Sequence, residues 1–297
     1  MPRVVECVPN FSEGRRRDVI EAIADEVRRT RDVQLLDVQK DESHNRCVVT
    51  FVGTPEGAKA AALAASRRAI ELIDMNVHRG EHPRLGAVDV IPFIPIFGVT
   101  MEEAVATARA LGREIWEQLR VPVFFYADAA TKPERRRLPD IRKGEYEGLS
   151  AKLGDPAWAP DVGDPKPHPT AGVTVVGARR PLIAYNINLT TDDVEIAKKI
   201  ARAVRESSGG LAAVQAMGVK SESGRAQVSM NLVDYTQTPV QRAYEAVREE
   251  AAKYGAEILE SEVVGLIPLD AIVDVARRAL RLRDFTRDQI LEAKLME

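Results

Sequence analysis

"LIAYNINLTTDDVEIAKKIARAVRES", Leu182 to Ser207, reads as a strand followed by a helix that begins near Thr191. Downstream, "GLAAVQAMGV" (Gly210–Val219) and "RAQVSMNLV" (Arg225–Val233) read as two strands around the turn residues Lys220 to Gly224. A helix is predicted over about Pro239–Tyr254, and "EILESEVV" (Glu257–Val264) closes the unit. The order β-α-β-β-α-β is the split βαβ arrangement of ferredoxin-like domains. Helical patterns near residues 269–280 and 287–295 are additions to it. This unit defines a second subdomain, residues 180–297, and leaves residues 1–179 as the first.

The first part reads less evenly. "RVVECV" is a strand stopped by Pro9 and Asn10. Ser12 is a candidate cap for a helix over about Gly14–Thr30, in which Val19, Ile20, Ile23 and Val27 share one face. "VQLLDV" and "RCVVTFVG" are strands joined by a polar connection. An Ala-rich helix follows from about Thr54 to Ile73, suited to close packing on a sheet. In "AVDVIPFIPI" the prolines Pro92 and Pro95 predict an end to any central strand near Val90 or Ile91. A helix over about Thr100–Leu119 and the strand "VPVFFY" come next. Residues 127–172 are charged, then dense in Pro, Gly and Asp, and such a length without periodicity points to disorder or function. Trp158 within it favours a loop pinned to the body. The expected fold class is α/β (α+β): two subdomains with mixed or antiparallel sheets covered by helices, the second ferredoxin-like.

The 297 residues allow one large or two modest domains. A net charge of −3 argues against a nucleic-acid or membrane surface as the main partner, and the inner strands of the second sheet lack the aromatics that stack bases. The N-terminus has no signal-peptide layout and no apolar run reaches membrane length. Cys7 and Cys47 both sit in apolar strand-like segments and read as reduced core thiols, so the expected compartment is the cytoplasm.

Chemistry concentrates in "HRGEHPRLGAVDVIPF", His78–Phe93, which holds two of the four histidines. His82 lies between Glu81 and Pro83, near Arg79 and Arg84, without the apolar neighbours of a core histidine. Imidazole is the side chain best matched to moving a proton near pH 7. A surface role and a metal-binding role are the alternatives. Gly80 and Pro83 spoil a helical His78–His82 metal pair, and no metal is expected. His44 and Asn45 precede a strand, where they either bond the turn or line a pocket rim. Arg142, beside Gly144, is either a carboxylate grip or part of a solvent-facing salt-bridge patch. "GDPKPHPTAG", with Lys166 and His168, is either a lid or a linker. Gln227, Ser229 and Asn231 alternate with Val228, Met230 and Leu232, so one face of the second sheet is polar. Removal of Met1 would expose a prolyl amine at Pro2, but no pocket residue is tied to it.

Taken together, "VECVPNFSEG", "HRGEHPRLGAVDVIPFIP", "IRKGEYEGL", "ARRPLIAYNINL", "QVSMNLVDYTQTP" and "EVVGLIPLDA" resemble the formiminotransferase family over essentially the whole chain. Its members are the glutamate formimidoyltransferases, which in animals are fused to a cyclodeaminase that is absent here. The resemblance implies a cytoplasmic homodimer of two-subdomain protomers that transfers a formimidoyl group from N-formimidoyl-L-glutamate to N5 of tetrahydrofolate, the co-substrate. It implies small-molecule partners, with no nucleic acid and no membrane. It places the catalytic histidine at His82 and a folate-contacting loop at Gly163, Asp164, Pro165, Lys166, Pro167, His168, Pro169, Thr170, Ala171 and Gly172. Animal forms are serine-rich in that loop. They also carry an aspartate where this chain has Gln39, which leaves Asp37 or Asp41 to assist. Asp37, Gln39, His44, Asn45, Arg79, Arg84, Arg142 and Asn231 complete the expected pocket. Residue types do not separate a formyl from a formimidoyl donor, and a folate-binding protein without turnover is the other alternative.

Overall fold

The computed structural model describes residues 3–221 and 223–295, so the Pro2 amine and position 222 of the expected turn lie outside the described residues. The chain divides into two units, Met1–Arg179 and Arg180–Glu297.

In the first unit, β1 (Val4–Cys7), β2 (Asn10–Phe11), α1 (Arg17–Arg29), β3 (Val33–Asp41) and β4 (Arg46–Gly53) come first. They are followed by α2 (Pro55–Leu72), β5 (Val88–Phe97), α3 (Met101–Leu119), β6 (Val123–Ala127), the short helices α4 (Leu138–Arg142) and α5 (Leu149–Leu153), and β7 (Thr174–Ala178). The sheet runs β1-β4-β2-β5-β7-β6, with β3 on β4 and a further pairing of β1 with β5. It is mixed: β5, β7 and β6 are mutually parallel and the other pairings are antiparallel.

Each strand residue faces opposite to its neighbours, so the sheet has two distinct faces. One carries Val5, Cys7, Phe11, Cys47, Val49, Phe51, Ile91 and Phe93 into a core with α1, α2 and α3. The alanines of α2 at 58, 61, 62, 65 and 69 are buried there, which lets that helix pack closely. The opposite face is covered over β5, β7 and β6 by Ile141, Leu149, Leu153 and Trp158, packed on Val90, Phe124, Tyr126 and Val175. The charged, irregular segment is therefore ordered against the body, with Trp158 edge-on to Phe124 as its pin.

Three local expectations are corrected. Ser12 does not cap α1: its hydroxyl donates to the Gly86 carbonyl (2.8 Å), and the buried Glu13 carboxylate instead accepts from the backbone N–H of Arg15 (2.9 Å) and Arg16 (2.8 Å). β5 passes through both prolines. Pro92 still accepts at its carbonyl from the Val8 N–H (3.3 Å), and Pro95 lies beyond the last residue paired with β7, where β1 bulges between Val4 and Val5. Finally, β7 was not anticipated. It is short and buried on both faces, so it shows none of the alternation that marks a half-exposed strand.

The second unit contains β8 (Ile183–Leu189), α6 (Val194–Val204), β9 (Val214–Lys220), β10 (Ala226–Leu232), α7 (Val240–Ala252) and β11 (Ile258–Val264), then α8 (Leu269–Ala279) and α9 (Leu291–Leu295). Its antiparallel sheet, in the order β11-β8-β10-β9, is that of a ferredoxin-like βαββαβ unit. Ile183, Ile187, Val228, Met230 and Leu232 pack against α6 and α7 residues such as Ile200 and Val247.

Candidate active site

The site begins where β3 turns into β4. Asp37 pairs with Thr50, Gln39 with Val48 and Asp41 with Arg46. Directly paired residues share a face, and Cys47, Val49 and Phe51 point into the helix-packed core. Asp37, Gln39, Asp41 and Arg46 therefore lie on the face without α1–α3.

The turn between these strands holds the His82 segment in place. Asn45 adopts φ 49°, a left-handed conformation that Asn tolerates. Its side chain accepts from the Gly14 N–H (2.9 Å) and donates to the Arg79 carbonyl (2.9 Å), and its own carbonyl accepts from His78 Nε2 (2.9 Å). The Glu81 N–H donates to the Ser43 carbonyl (3.4 Å). Gly80 passes so close to this turn that a Cβ there would lie 2.2 Å from the His44 carbonyl oxygen.

The four histidines separate by their partners. His78 is buried and structural: Nε2 donates to Asn45 and Nδ1 accepts from Arg84 Nε (3.3 Å). His168 accepts at Nδ1 from the N–H of Ala171 (3.0 Å) and so ties its own loop. His44 Nδ1 donates to Asp41 Oδ2 (2.6 Å). Burial acts to raise the pKa of Asp41, but the hydrogen bonds from His44 and Ser43 outweigh it and bring the carboxyl down to about 2. His82 is different. Arg46 Nη1 lies 2.7 Å from its Nε2, and a guanidinium can only donate, so Nε2 presents its lone pair and the ring proton sits on Nδ1. Burial first, then the charges of Arg46, Arg142 and His44, hold the His82 pKa down at about 2; the Pro83 carbonyl opposes this weakly. The ring is neutral. Its centroid lies 6.1 Å from that of His44.

Arg142 approaches from α4. Its Nη2 donates to Asp89, a carboxylate 2% exposed whose other oxygen accepts from the Leu85 N–H (2.9 Å). Among the described residues, Arg142 Nε is buried without a hydrogen-bond partner. Arg46 makes no ion pair within 4 Å among the described residues, and burial followed by the charge of Arg142 lowers its pKa. Two guanidiniums and one carboxylate thus surround a neutral imidazole. In this arrangement Arg46 occupies the Nε2 lone pair, and the excess positive charge can attract an anionic group beside the ring.

The other expected residues are placed as follows. Arg84 is buried and engaged, donating to Glu147 at 2.6 and 2.8 Å and to Glu145 at 3.0 Å. Arg79 is exposed and bonds main-chain carbonyls of its own turn. The loop Gly163–Gly172 is fastened beside the His82 segment through Thr170 to Met75 (2.8 Å), Pro169 to Asn76 (2.9 Å) and Ala171 to Ala87 (3.0 Å). Gly172, at φ 70°, packs so that a Cβ would meet the Leu85 carbonyl oxygen at 2.2 Å. Asp164, Pro165 and Lys166 are exposed, and no hydrogen bond joins the loop to His82 among the described residues. Asn231 lies on the polar face of the second unit's sheet, opposite Ala184 and Gln215. Arg46 was missed from sequence. Its signal was an arginine at the head of an apolar strand, immediately after His44 and Asn45. Among the described residues no group of three His, Cys, Asp or Glu side chains is placed to hold a metal ion, and no helix is long and apolar enough to cross a membrane.

Residues 4–179 match the family model of the formiminotransferase domain, N-terminal subdomain, and residues 184–290 that of the formiminotransferase domain. A glutamate formimidoyltransferase of Streptococcus pyogenes serotype M1 is 46% identical over 298 residues, covering 100% of both chains. One from Thermoplasma acidophilum is 48% identical over 295 residues, covering 98% of this chain and 97% of that one. The formimidoyltransferase-cyclodeaminase of Gallus gallus is 48% identical over 283 residues, covering 93% of this chain but 52% of the longer protein. With matches that span both units, the chain belongs to the formiminotransferase family.

Proposed function

We propose that this chain is a transferase that moves the formimidoyl group of N-formimidoyl-L-glutamate to N5 of tetrahydrofolate, releasing L-glutamate. The observation that carries this reading is its full-length similarity to two glutamate formimidoyltransferases. The His82 cluster supplies chemistry of the right kind. Tetrahydrofolate, as co-substrate, supplies the nucleophilic nitrogen. His82 Nε2 accepts the proton leaving that nitrogen as the new nitrogen–carbon bond forms. It returns the proton to the glutamate nitrogen as the old carbon–nitrogen bond breaks. One imidazole thus acts as base and then as acid, a contribution of roughly 10²–10⁴-fold. Holding both reactants beside it adds the advantage of proximity.

The residues present fit substrates that carry carboxylates. Among the described residues Arg46 has no carboxylate within 4 Å, and Arg142 has a buried Nε without a hydrogen-bond partner. Lys166 is exposed in the loop Gly163–Gly172 and offers the folate a positive charge, while that loop's main chain is anchored. The chain works in the cytoplasm as a homodimer. Exposed apolar side chains in the second unit, among them Leu259, Leu266 and Leu280, give a subunit contact its material.

The test is a spectrophotometric assay of purified protein with tetrahydrofolate and either N-formimidoyl- or N-formyl-L-glutamate. The expected result is faster transfer from the formimidoyl donor. Preference for the formyl donor would reassign the substrate, and tight folate binding without transfer from either donor would make the chain a non-catalytic folate-binding protein. Light scattering of the purified protein checks the dimer.

A further inference from the structure

Arg46 holds the lone pair that His82 needs. Its Nη1 donates to Nε2 at 2.7 Å, and Nδ1, carrying the ring proton, cannot act as a base. Proton acceptance at Nε2 therefore requires the guanidinium to leave. What draws it away must be a better acceptor than a neutral imidazole, and a carboxylate adds opposite charge and can accept two parallel guanidinium N–H bonds.

Neither Asp41 nor Asp89, the two carboxylates bonded within the cluster, is free to take that place. Asp41 is committed to His44 and Ser43, and Asp89 to Arg142 and the Leu85 N–H. The charged and titratable groups around the His82 ring are Arg46 from β4, Asp41 from the end of β3, His44 from the β3–β4 turn, and Arg142 from α4 with Asp89 from β5. Glu81 and Arg79 lie on its own segment.

The donor substrate supplies such an acceptor. In an N-substituted glutamate the α-carboxylate and the nitrogen that leaves share one carbon, so they lie about 2.5 Å apart. The nitrogen must come within reach of His82, because it takes its proton there. The carboxylate then arrives beside Arg46. The carboxylates of the folate tail are separated from N5 by the aminobenzoyl group and do not reach both positions at once.

We infer that the α-carboxylate of the glutamate donor draws the Arg46 guanidinium off His82 Nε2, so that binding of the correct donor frees the catalytic base. This rests on the transferase reading and adds a residue to it. Arg46 is a positioning and specificity residue: it keeps the base occupied until an α-carboxylate is present. The exchange is one of hydrogen bonds only. Arg46 keeps all its protons, and the proton that His82 gains comes from the attacking nitrogen.

The experiment follows the imidazole nitrogens of the full chain by 15N NMR, with L-glutamate as the probe carboxylate. In the free protein His82 Nε2 is expected to be unprotonated and not to titrate between pH 5 and 8. Saturating L-glutamate is expected to move the His82 nitrogen resonances and raise its pKa by about 1–3 pH units. Arg46→Gln gives the raised value without glutamate, and glutamate then changes nothing. In steady state Arg46→Gln is expected to raise KM for the formimidoyl donor about 10- to 100-fold and to leave KM for tetrahydrofolate within about twofold. A new acidic limb, still below the ordinary histidine pKa, is expected in its kcat/KM profile, and Arg46→Lys should recover part of the donor KM.

If glutamate binds the wild-type chain and leaves the His82 resonances unmoved, the exchange is overturned although transfer is intact. The same holds if Arg46→Gln affects the two substrates equally. A wild-type chain that transfers from neither donor overturns the transferase reading itself.

Discussion

Each unit packs its long helices on one face of its sheet, and each has polar side chains on the other, in the first unit on β3 and β4. In the second unit several of those side chains bond one another. Gln227 donates to Asn188 (2.9 Å), Asn188 to Glu260 (3.0 Å), and Asn186 to Glu262 (3.0 Å), a ladder across three strands. In the first unit the match is incomplete. Among the described residues Arg46 donates to a neutral ring, Arg142 Nε has no partner, and His82 is held far from its ordinary pKa. Polarity on a sheet face does not by itself mark a site. An unbalanced set of charged donors around a titratable ring does, because proteins otherwise pair buried polar groups.

The sharpest way to break this contrast is at His82. His82→Ala is expected to lower kcat with both substrates saturating by about 10²–10⁴-fold while the far-UV spectrum is unchanged. Asp89→Ala is expected next. It leaves Arg142 and the Leu85 N–H buried without their acceptor, and urea unfolding should show a loss of about 3–5 kcal/mol. Gly80→Ala forces a methyl onto the His44 carbonyl, at a cost of about 1–3 kcal/mol, and it should also lower kcat because the turn carrying His82 must shift. Gln227→Ala in the satisfied ladder is expected to cost about 1 kcal/mol and to leave kcat within about twofold.

The smallest effect concerns pH. Asp41 has its folded pKa lowered to about 2, below an unfolded value near 3.9. Its contribution is therefore complete above about pH 4 and is lost as the pH falls towards 2. Because the pair with His44 is partly exposed, Asp41→Asn should reduce stability by less than about 1 kcal/mol at pH 6, with the difference vanishing in unfolding curves recorded near pH 2.

Much of this was legible in the residue order. The second unit's sheet was readable because Gln227, Ser229 and Asn231 alternate with Val228, Met230 and Leu232. α2 and α3 were readable from their small and apolar residues, and the structure starts them after Thr54 and Thr100, whose hydroxyls cap them. β5 was misjudged because a proline's effect depends on which neighbour its missing N–H faces, and that is fixed by β1 and β7 rather than locally. Ser12 was misjudged for a similar reason, since its partner lies 74 residues away. Within the site, His82 stood out by its polar neighbours. Its partner did not: Arg46 is 36 residues distant, and an acid, not a cation, was expected there. The charge imbalance exists only after folding.

The central claim is that the His82 ring itself moves the proton. Chemical rescue tests it most directly. The His82→Ala chain is assayed for 5-formimidoyltetrahydrofolate formation with rising concentrations of free imidazole and of substituted imidazoles of different pKa. The account predicts saturable recovery of turnover, with rescued rates that depend on the pKa of the added base. Folded His82→Ala protein that binds both substrates but gains no activity from any imidazole would contradict it, as would a variant that needs no rescue.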